Sequence, residues 1–407
     1  MLSDEVINKV IERITTRIEE TNTYVLKKMG ESVGKLRTLT PTQAQQLAQI
    51  MQYGGDYDKI AKALAKMSEL NVREIYKIFD EVAKQDYAFA EQFYKYRNIK
   101  YIPYEQNIAL QNEVSALATV TAKQYRNITR TMGFATHENG KIVYNDIART
   151  YQNLLDKAVL SVSQGKTTFD EELYQIMKEL ASSGIKTIDY ESNRSIRVES
   201  AVRTAMQGGI RDLHMEIQQE FGKQFDADGI EVTVHGNPAP DHQYVQGKQF
   251  SNEQFNNFQN DIDAYSYDGT FFPAESEETG RDRRSIGQYN CYHDIFSIIL
   301  GVSEPVYRDE ELNEIIKKNN KGFKFNGKKY TMYEGEQLQR QLETEMRKAK
   351  DEQIMARAGN MRDKAELSQV KINKLTDKYN KLVKISGLPS KIERARVSGY
   401  RKIKVNK

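Results

Sequence analysis

Three histidines and the only cysteine of the chain lie within 59 residues of one another. They are His235, His242, Cys291 and His293, and the whole sequence has only five histidines. Their spacing is H-x6-H, then 48 intervening residues, then C-x-H. Imidazole nitrogens and a thiolate are the ligands that tetrahedral zinc prefers, and Cys291 and His293 would face the same side of a strand. These four residues are therefore candidate zinc ligands.

The same groups allow two other interpretations. A hydrogen-bonded polar network could hold the loops of a small domain together without a metal. Alternatively, His235, Asn290 and His293 could imitate a His-Asn-His nuclease site, in which the nearby Asp241 holds a metal and one histidine acts as the base. The sequence contains no Walker loop, no G-x-S-x-G, no H-E-x-x-H and no G-x-G-x-x-G after a strand. A metal-dependent hydrolase or nuclease remains an alternative to a structural protein.

Length and composition limit the class of protein. A chain of 407 residues with 39% hydrophobic and 29% charged side chains predicts two or three domains with long, partly exposed helices. One cysteine excludes an internal disulfide, as in proteins of a reducing compartment. The first 20 residues are charged and no run of about 18 apolar residues occurs, so we expect neither a secretory signal nor a membrane span.

The net charge of +3 conceals a division of charge along the chain. Residues 317–407 contain 25 basic and 10 acidic side chains, whereas the preceding 316 residues contain 35 basic and 47 acidic ones. An acidic body with a basic C-terminal region predicts a negatively charged partner for that region, such as DNA, an acidic protein surface or another copy of the chain. The alternative is a solvated basic helix with no dedicated partner.

Residues 1–225 are predicted to form an acidic, extended helical region. In the first turns, Val6, Ile7, Val10, Ile11 and Ile14 recur at helical spacing. The sequence Thr40-Pro41 predicts a second helix start, because proline is favoured at the first helical position. Further helical runs cover roughly 56–68, 70–97, 104–132, 142–164, 168–183 and 194–222, which is typical of a helical bundle or a set of helical hairpins.

Residues 226–333 are predicted to form a compact α+β domain. It contains the four candidate ligands, which are called the His/Cys group below: His235, His242, Cys291 and His293. Four of the seven prolines lie in residues 238–305, and the segment IEVTVHG alternates as a half-buried strand does. Ser251 begins a capping box, and IFSIILGV fits a buried strand or a short helix. Asn326-Gly327 predicts a hairpin with a type I′ turn. The fold class expected for the whole chain is mainly α with a small α+β module.

Residues 334–407 are predicted to form a basic helical region. Two helices cover 335–358 and 361–386, and Gly387 with the following proline ends the second. In the tail, Tyr400 stands among basic side chains that could contact phosphate without reading a base sequence. The candidate nucleic-acid contacts are Arg394, Arg396, Arg401 and Lys402.

One ion pair is predicted on the helix that contains NRSIRVESAVRTAMQGGI. Glu199 precedes Arg203 by four residues, the favourable order for such a pair. We expect a surface ion pair there, with a contact of Arg203 to the small domain or to a partner as the alternative.

Several motifs occur in an order that resembles the phage minor capsid protein 2 family of tailed-phage and prophage head genes. That family has a histidine, then P-x-H-x-x-x-Q-G, then N-C-x-H, then a Y-x-x-x-Q-x-Q-R-x-x-E helix. The residues that match are His235, Pro240, His242, Gln246, Gly247, Asn290, Cys291, His293, Tyr333, Gln337, Gln339, Arg340 and Glu343, with Arg203 in the preceding helical motif. The chain departs from the family at Ala239 and Tyr292, where the family commonly has arginine.

The resemblance implies a structural virion protein. Relatives are encoded beside the portal protein and are similar to the Mu-type head morphogenesis proteins. We therefore expect a minor capsid protein inside the phage head at the portal vertex, made in the host cytoplasm, with the portal protein and the major capsid protein as partners. Its role would be head assembly, DNA packaging or DNA delivery. A zinc ion is the only cofactor that the sequence indicates, and a non-specific DNA-binding protein acting through the tail is a further alternative.

Overall fold

The computed structural model describes most of the chain. The described residues are 4–53, 56–97, 100–138, 141–163, 166–189, 194–276, 281–282, 284–287, 291 and 293–405. No helix among them is both long enough and apolar enough to span a membrane.

The chain divides into two compact units, and each is assembled from three separate segments. Unit 1 comprises Met1–Ile11, Ile75–Ala122 and Thr204–Glu336. Unit 2 comprises Glu12–Glu74, Lys123–Arg203 and Gln337–Lys407. Residues far apart in sequence therefore build each core. The division into an acidic helical region 1–225, an α+β domain 226–333 and a basic helical region 334–407 stays a prediction.

Helices dominate both units, which confirms the predicted fold class of mainly α with a small α+β module. The α-helices in the described residues are α1 Asp4–Leu36, α2 Pro41–Tyr53, α3 Asp56–Arg97, α4 Ile108–Arg130, α5 Ile147–Ser163, α6 Lys166–Ser183, α7 Val198–Gln224, α8 Asn252–Gln259, α9 Asp309–Lys321, α10 Met332–Ala358 and α11 Arg362–Ser386. The apolar period that predicted α1 is real, because Ile7, Ile11 and Ile14 are buried.

The strands are short and their sheets are small. They are β1 Gly133–Glu138, β2 Lys141–Asp146, β3 Lys186–Asp189, β4 Arg194–Arg197, β5 Gly229–Val232, β6 Gln249–Ser251, β7 Ala264–Tyr265, β8 Phe271–Phe272, β9 Glu275–Ser276, β10 Arg281–Asp282, β11 Ile295–Ile298, β12 Phe323–Phe325 and β13 Lys328–Tyr330.

A four-stranded antiparallel sheet corrects the prediction that residues 1–225 are entirely helical. Its strand order is β2-β1-β3-β4. The predicted helices 142–164 and 194–222 in fact begin with β2 and β4. The sequence Asn139-Gly140 between β1 and β2 is a hairpin signal that an entirely helical interpretation of residues 1–225 does not use.

The two helices predicted at 56–68 and 70–97 form the single helix α3. Asn71 lies inside it and is fully buried. Its side-chain Nδ2 donates to the Tyr125 hydroxyl at 3.2 Å and to the Ile14 carbonyl at 3.3 Å. A polar side chain in the middle of this helix is thus satisfied by tertiary partners and does not end it.

Several local predictions are confirmed. Helix α2 begins at Pro41, and Ser251 caps α8 by accepting from the Gln254 amide at 3.2 Å. Asn326 and Gly327 have φ angles of 50° and 82° in the turn between β12 and β13. Gly387 adopts a left-handed conformation at the end of α11. These positions depend on local backbone chemistry, so neighbouring residues suffice to predict them.

The sheet β11-β5-β6 organises the part of unit 1 that contains the His/Cys group. Strand β11 pairs antiparallel with β5, with Ile295 opposite Val232, and β5 pairs with β6. An apolar core packs against this sheet and fixes it. Its buried members are Ile230, Val232, Val245, Phe250, Phe255, Phe258, Ala264, Phe272, Ile286 and Ile295.

Candidate metal centre

Strand pairing brings the two halves of the His/Cys group together. Because β5 and β11 are antiparallel, the residues after β5 lie beside those before β11. The pairing continues beyond the strands, where the Thr233 amide donates to the Asp294 carbonyl at 3.0 Å and the Asp294 amide donates to Thr233 Oγ1 at 2.8 Å. The segment with His235 and His242 therefore meets the segment with Cys291 and His293.

Three of the four candidate ligands converge in the interior. His242, Cys291 and His293 are 1%, 2% and 3% exposed. Cys291 Sγ lies 3.4 Å from His242 Nδ1 and 3.5 Å from His293 Nδ1. The three residues offer ligand atoms that all lie within 4.8 Å of one another. The amide of His293 also donates to Cys291 Sγ at 3.4 Å.

The far nitrogen of each of these two imidazoles has an oxygen acceptor. His242 Nε2 donates to the Arg284 carbonyl at 2.8 Å, and His293 Nε2 donates to Gln246 Oε1 at 3.3 Å. Gln246 is buried, and its Oε1 also accepts from the His235 amide at 2.9 Å. Since both acceptors lack a proton of their own, both Nε2 atoms carry hydrogen, and both Nδ1 atoms face Cys291.

His235 lies beside the three converging residues. Its ring is half-buried and meets the ring of His293 edge-on, with centroids 4.6 Å apart. The rings of His242 and His293 have a similar arrangement, with centroids 5.3 Å apart. The structure thus gathers all four predicted residues into one cluster, with His235 at its edge.

The charges in the cluster follow from burial and proximity. Burial opposes the thiolate, but the hydrogen bond and charge of His242 lower the pKa of Cys291 below its usual value. Burial likewise opposes a charged His242, but its contact with Cys291 raises the pKa of His242. Burial and the neighbouring His235 and His242 lower the pKa of His293 to about 2. His293 is therefore neutral at physiological pH, as a metal ligand must be.

The carboxylate required by the nuclease interpretation has another role. Asp241 accepts two hydrogen bonds from Arg284, at 2.6 Å from Nε and 2.7 Å from Nη2. Although burial opposes charge on Asp241, this pairing lowers the pKa of the carboxyl. The Asp241 carboxylate, held by two hydrogen bonds from the guanidinium, orients Arg284, whose carbonyl accepts from His242. The same carboxylate is therefore poorly placed to bind a metal. Asn290, the other residue of that interpretation, lies outside the described residues.

Gly247 is required by the turn that presents His242. Its φ angle is +72°, and an added Cβ would lie 2.7 Å from a methyl carbon of Leu312 and 3.2 Å from one of Val234. Its amide donates to the Val232 carbonyl at 2.8 Å, which joins the turn to β5. Pro240 is exposed at the start of this turn. The Q-G pair of the motif is therefore structural: Gln246 orients two histidine segments and Gly247 permits the close approach.

Two further motif residues on α10, Gln339 and Glu343, build a polar core in unit 2. Gln339 is buried, and its Nε2 donates to the Tyr379 hydroxyl and to the Pro389 carbonyl, both at 2.9 Å. The Tyr379 hydroxyl donates to Glu343 at 3.2 Å and accepts from the Lys391 amide at 2.7 Å. Gln337 and Arg340 are half-buried on the same helix. Gln339, Glu343 and Tyr379 therefore join α10, α11 and the segment after α11.

The predicted surface pair of Glu199 and Arg203 is wrong. Glu199 is 4% exposed and contacts Arg197 at 2.5 Å and Arg347 at 3.6 Å. Arg203 donates to Thr15 Oγ1 at 3.2 Å, and burial lowers its pKa. Helical spacing identified neighbours on one helix, but partners from other segments of unit 2 are closer.

Sequence reasoning missed a buried charge network around Arg197 in unit 2. Arg197 Nη2 lies 3.1 Å from Asp351 Oδ2, and Asp351 is 1% exposed. Burial raises the pKa of Asp351 to about 6 and that of Glu19 to about 7, although Arg197 and Arg347 respectively lower them. In the sequence, only the adjacent acids Asp351 and Glu352 in a basic helix pointed to this network.

The basic tail packs against unit 2 and is not a frayed end. The Tyr400 hydroxyl donates to Gln369 Oε1 at 3.0 Å, and the Ile403 amide donates to the same oxygen at 3.1 Å. Arg396, Arg401 and Lys402 are exposed, as a nucleic-acid contact requires. Arg394 is half-buried, and its charge opposes the rise that burial causes in the pKa of Glu343. The Tyr400 side chain thus packs within unit 2 through its hydrogen bond to Gln369.

Comparison with protein families gives a match over nearly the whole chain. The family described as phage minor capsid protein 2 matches residues 2–384, nearly the whole chain. No curated protein matches the chain. No solved structure matches it.

Proposed function

Because the chain belongs to the phage minor capsid protein 2 family, we propose that it is a head protein that binds the portal inside the head and contacts packaged DNA through its basic C-terminal region. The family supports a structural, non-enzymatic role in the virion and interaction with other phage head proteins. The motifs that resemble head genes encoded beside the portal protein support the portal as partner, with the major capsid protein as the second.

A row of exposed lysines on α11 carries the DNA part of the proposal. Lys374, Lys378 and Lys381 are exposed, and their spacing of four and three residues places them on one face of the helix. In the part of the chain that the structure describes, none of the three pairs with a carboxylate. Lys384 is exposed one turn further on, and Arg396, Arg401 and Lys402 add charge in the tail.

Such a row suits a phosphate backbone better than a base sequence. Lysine is a flexible point charge that neutralises phosphates, and each phosphate contact releases counterions. The three lysines extend over about 10 Å of helix, so they can reach successive phosphates. We therefore expect binding without base preference, as a protein that contacts any packaged genome requires.

Salt dependence of DNA binding tests this part. The full chain and a variant with Lys374→Gln, Lys378→Gln and Lys381→Gln are titrated with double-stranded DNA at several salt concentrations. Each lost phosphate contact should reduce the slope of log K against log salt by about 1, so the variant should lose about 3 and bind more weakly on every sequence.

A matched control removes the same charge elsewhere. Lys62, Lys66 and Lys77 are exposed on α3, and their replacement by glutamine changes the net charge equally. The control should keep the slope of the unsubstituted chain. Equal losses in both variants, or no salt-dependent binding of the unsubstituted chain, would contradict a DNA contact at α11.

Co-expression with the portal protein of the same phage tests the portal part. A complex that survives size-exclusion chromatography at micromolar concentration would support it. Separate elution of the two proteins would contradict it, and parallel co-expression with the major capsid protein would then show which head protein the chain binds.

A further inference from the structure

The separations within the His/Cys group match the edges of a zinc tetrahedron. Tetrahedral zinc with Zn–S of about 2.3 Å and Zn–N of about 2.05 Å places sulfur and nitrogen about 3.6 Å apart. Cys291 Sγ lies 3.4 Å from His242 Nδ1 and 3.5 Å from His293 Nδ1. We propose that unit 1 binds one zinc ion through these three atoms, with His235 as the fourth ligand.

The hydrogen bonds of the two histidines select the ligating nitrogen. Both Nε2 atoms donate to oxygen, so both Nδ1 atoms point toward Cys291. One proton between Cys291 and the two Nδ1 atoms can satisfy only one of the two nitrogen–sulfur contacts. A cation between the three atoms satisfies both nitrogens and the sulfur. Donation of the second ring N–H to a carbonyl is also the usual way in which proteins orient a zinc-bound histidine.

His235 is placed to complete the site. Two imidazoles on one tetrahedral zinc have ring centroids about 5 Å apart. The centroid separations are 5.3 Å for His242 with His293 and 4.6 Å for His235 with His293. The Gln246 side chain accepts from the amide of His235 and from the ring of His293, so it holds the two together. The fourth position is therefore filled from the chain itself.

The donor set distinguishes zinc from the common hard cations. Magnesium and calcium select oxygen ligands, whereas thiolate and imidazole suit zinc. The carboxylate next to His242 in the sequence, that of Asp241, is held by Arg284. Because His242, Cys291 and His293 are almost fully buried, the zinc ion would have a structural role. It would join the turn after β5 to the segment before β11, in a part of unit 1 whose strands are at most four residues long.

The test begins with the metal content of the full chain, purified without chelator and measured by elemental mass spectrometry. We expect about one zinc per chain, and loss of that zinc in Cys291→Ser and in His293→Gln. His214→Gln is the matched control, because His214 is a buried histidine of unit 1 whose Nδ1 contacts Asp86. It should keep its zinc. His235→Ala should keep zinc at reduced affinity, as shown by competition with a chelator.

Cobalt substitution keeps the test decisive if a variant folds poorly. The unsubstituted chain, stripped of metal and loaded with Co²⁺, should show the visible absorption of tetrahedral cobalt and a sulfur-to-cobalt charge-transfer band. Added Zn²⁺ should remove both and raise the melting temperature. A folded chain that holds no zinc and gains neither band nor stability would overturn the site. A full zinc complement in folded Cys291→Ser would overturn the ligand set.

Discussion

Arg197 contacts Asp351 at 3.1 Å although 154 positions separate them in the sequence. Arg197 also contacts Glu199, so one guanidinium pairs with two buried carboxylates of unit 2. Its removal leaves the buried carboxylate of Asp351 without this cation, which costs far more than an exposed pair is worth. The stability of unit 2 therefore depends strongly on this arginine.

Arg197→Met should lower the free energy of unfolding by about 3–5 kcal/mol at pH 7. Arg73→Met is the control, because Arg73 pairs with Glu69 where both side chains are exposed, and it should cost less than about 1 kcal/mol. Urea unfolding measures both. Similar midpoints for the two variants would show that the buried network contributes little.

The stability of unit 2 should fall as the pH rises from about 4.5 to about 7. Burial raises the pKa of Glu19 to about 7 and that of Asp351 to about 6. In this window the folded state binds more protons than the unfolded state, so the free energy of unfolding decreases with pH. Glu19→Gln should flatten that decrease by about 1–3 kcal/mol.

Hydrogen exchange of the α10 amides at pH 5 and pH 8 reports this change within unit 2. The exposed neighbour Glu20 provides the control, because Glu20→Gln should leave the pH dependence unaltered. An unchanged slope in Glu19→Gln would mean that other groups produce it.

Gly247→Ala should destabilise unit 1 by about 1–3 kcal/mol. The backbone there has a positive φ angle, and the new Cβ would collide with Leu312. Gly236 lies in the same segment, has open space around it and no positive φ angle. Gly236→Ala should therefore be nearly neutral, and thermal unfolding of the two variants gives the comparison. A neutral Gly247→Ala would show that the turn can rearrange.

Tyr400→Phe should cost about 1 kcal/mol, because it removes the hydrogen bond to the buried Gln369. Tyr265→Phe removes the hydroxyl of an exposed tyrosine and should have no effect. The denaturant midpoints of the two variants, compared with that of the unsubstituted chain, measure the two losses of stability. If Tyr400→Phe is silent, the Tyr400 hydroxyl adds nothing measurable to stability.

Local chemistry explains which features could be predicted from the sequence. Ser251, Asn326-Gly327 and Gly387 act through their own backbone, so a few residues suffice to predict them. The His/Cys group could be singled out because those residue types are rare in this chain. The partners of Arg197 and Arg203 could not be predicted, because charged side chains match many others and only tertiary packing selects between them. The sheet β1–β4 was missed because its strands are four to six residues long and a helical pattern surrounds them.

The order in which segments of unit 2 occur along the chain has a consequence for biosynthesis. Asn22 on α1 contacts Asp351 on α10, and Arg37 donates to the Gly359 carbonyl at 3.2 Å. The ribosome makes Asn22 and Arg37 more than 300 residues before it makes Asp351 and Gly359. Helix α1 therefore leaves the ribosome with its apolar face, which is buried in the folded protein, before these later segments of unit 2 exist. Until then that face is open to chaperones and to other nascent chains, so the rate of synthesis can affect how much folded head protein an infected cell obtains.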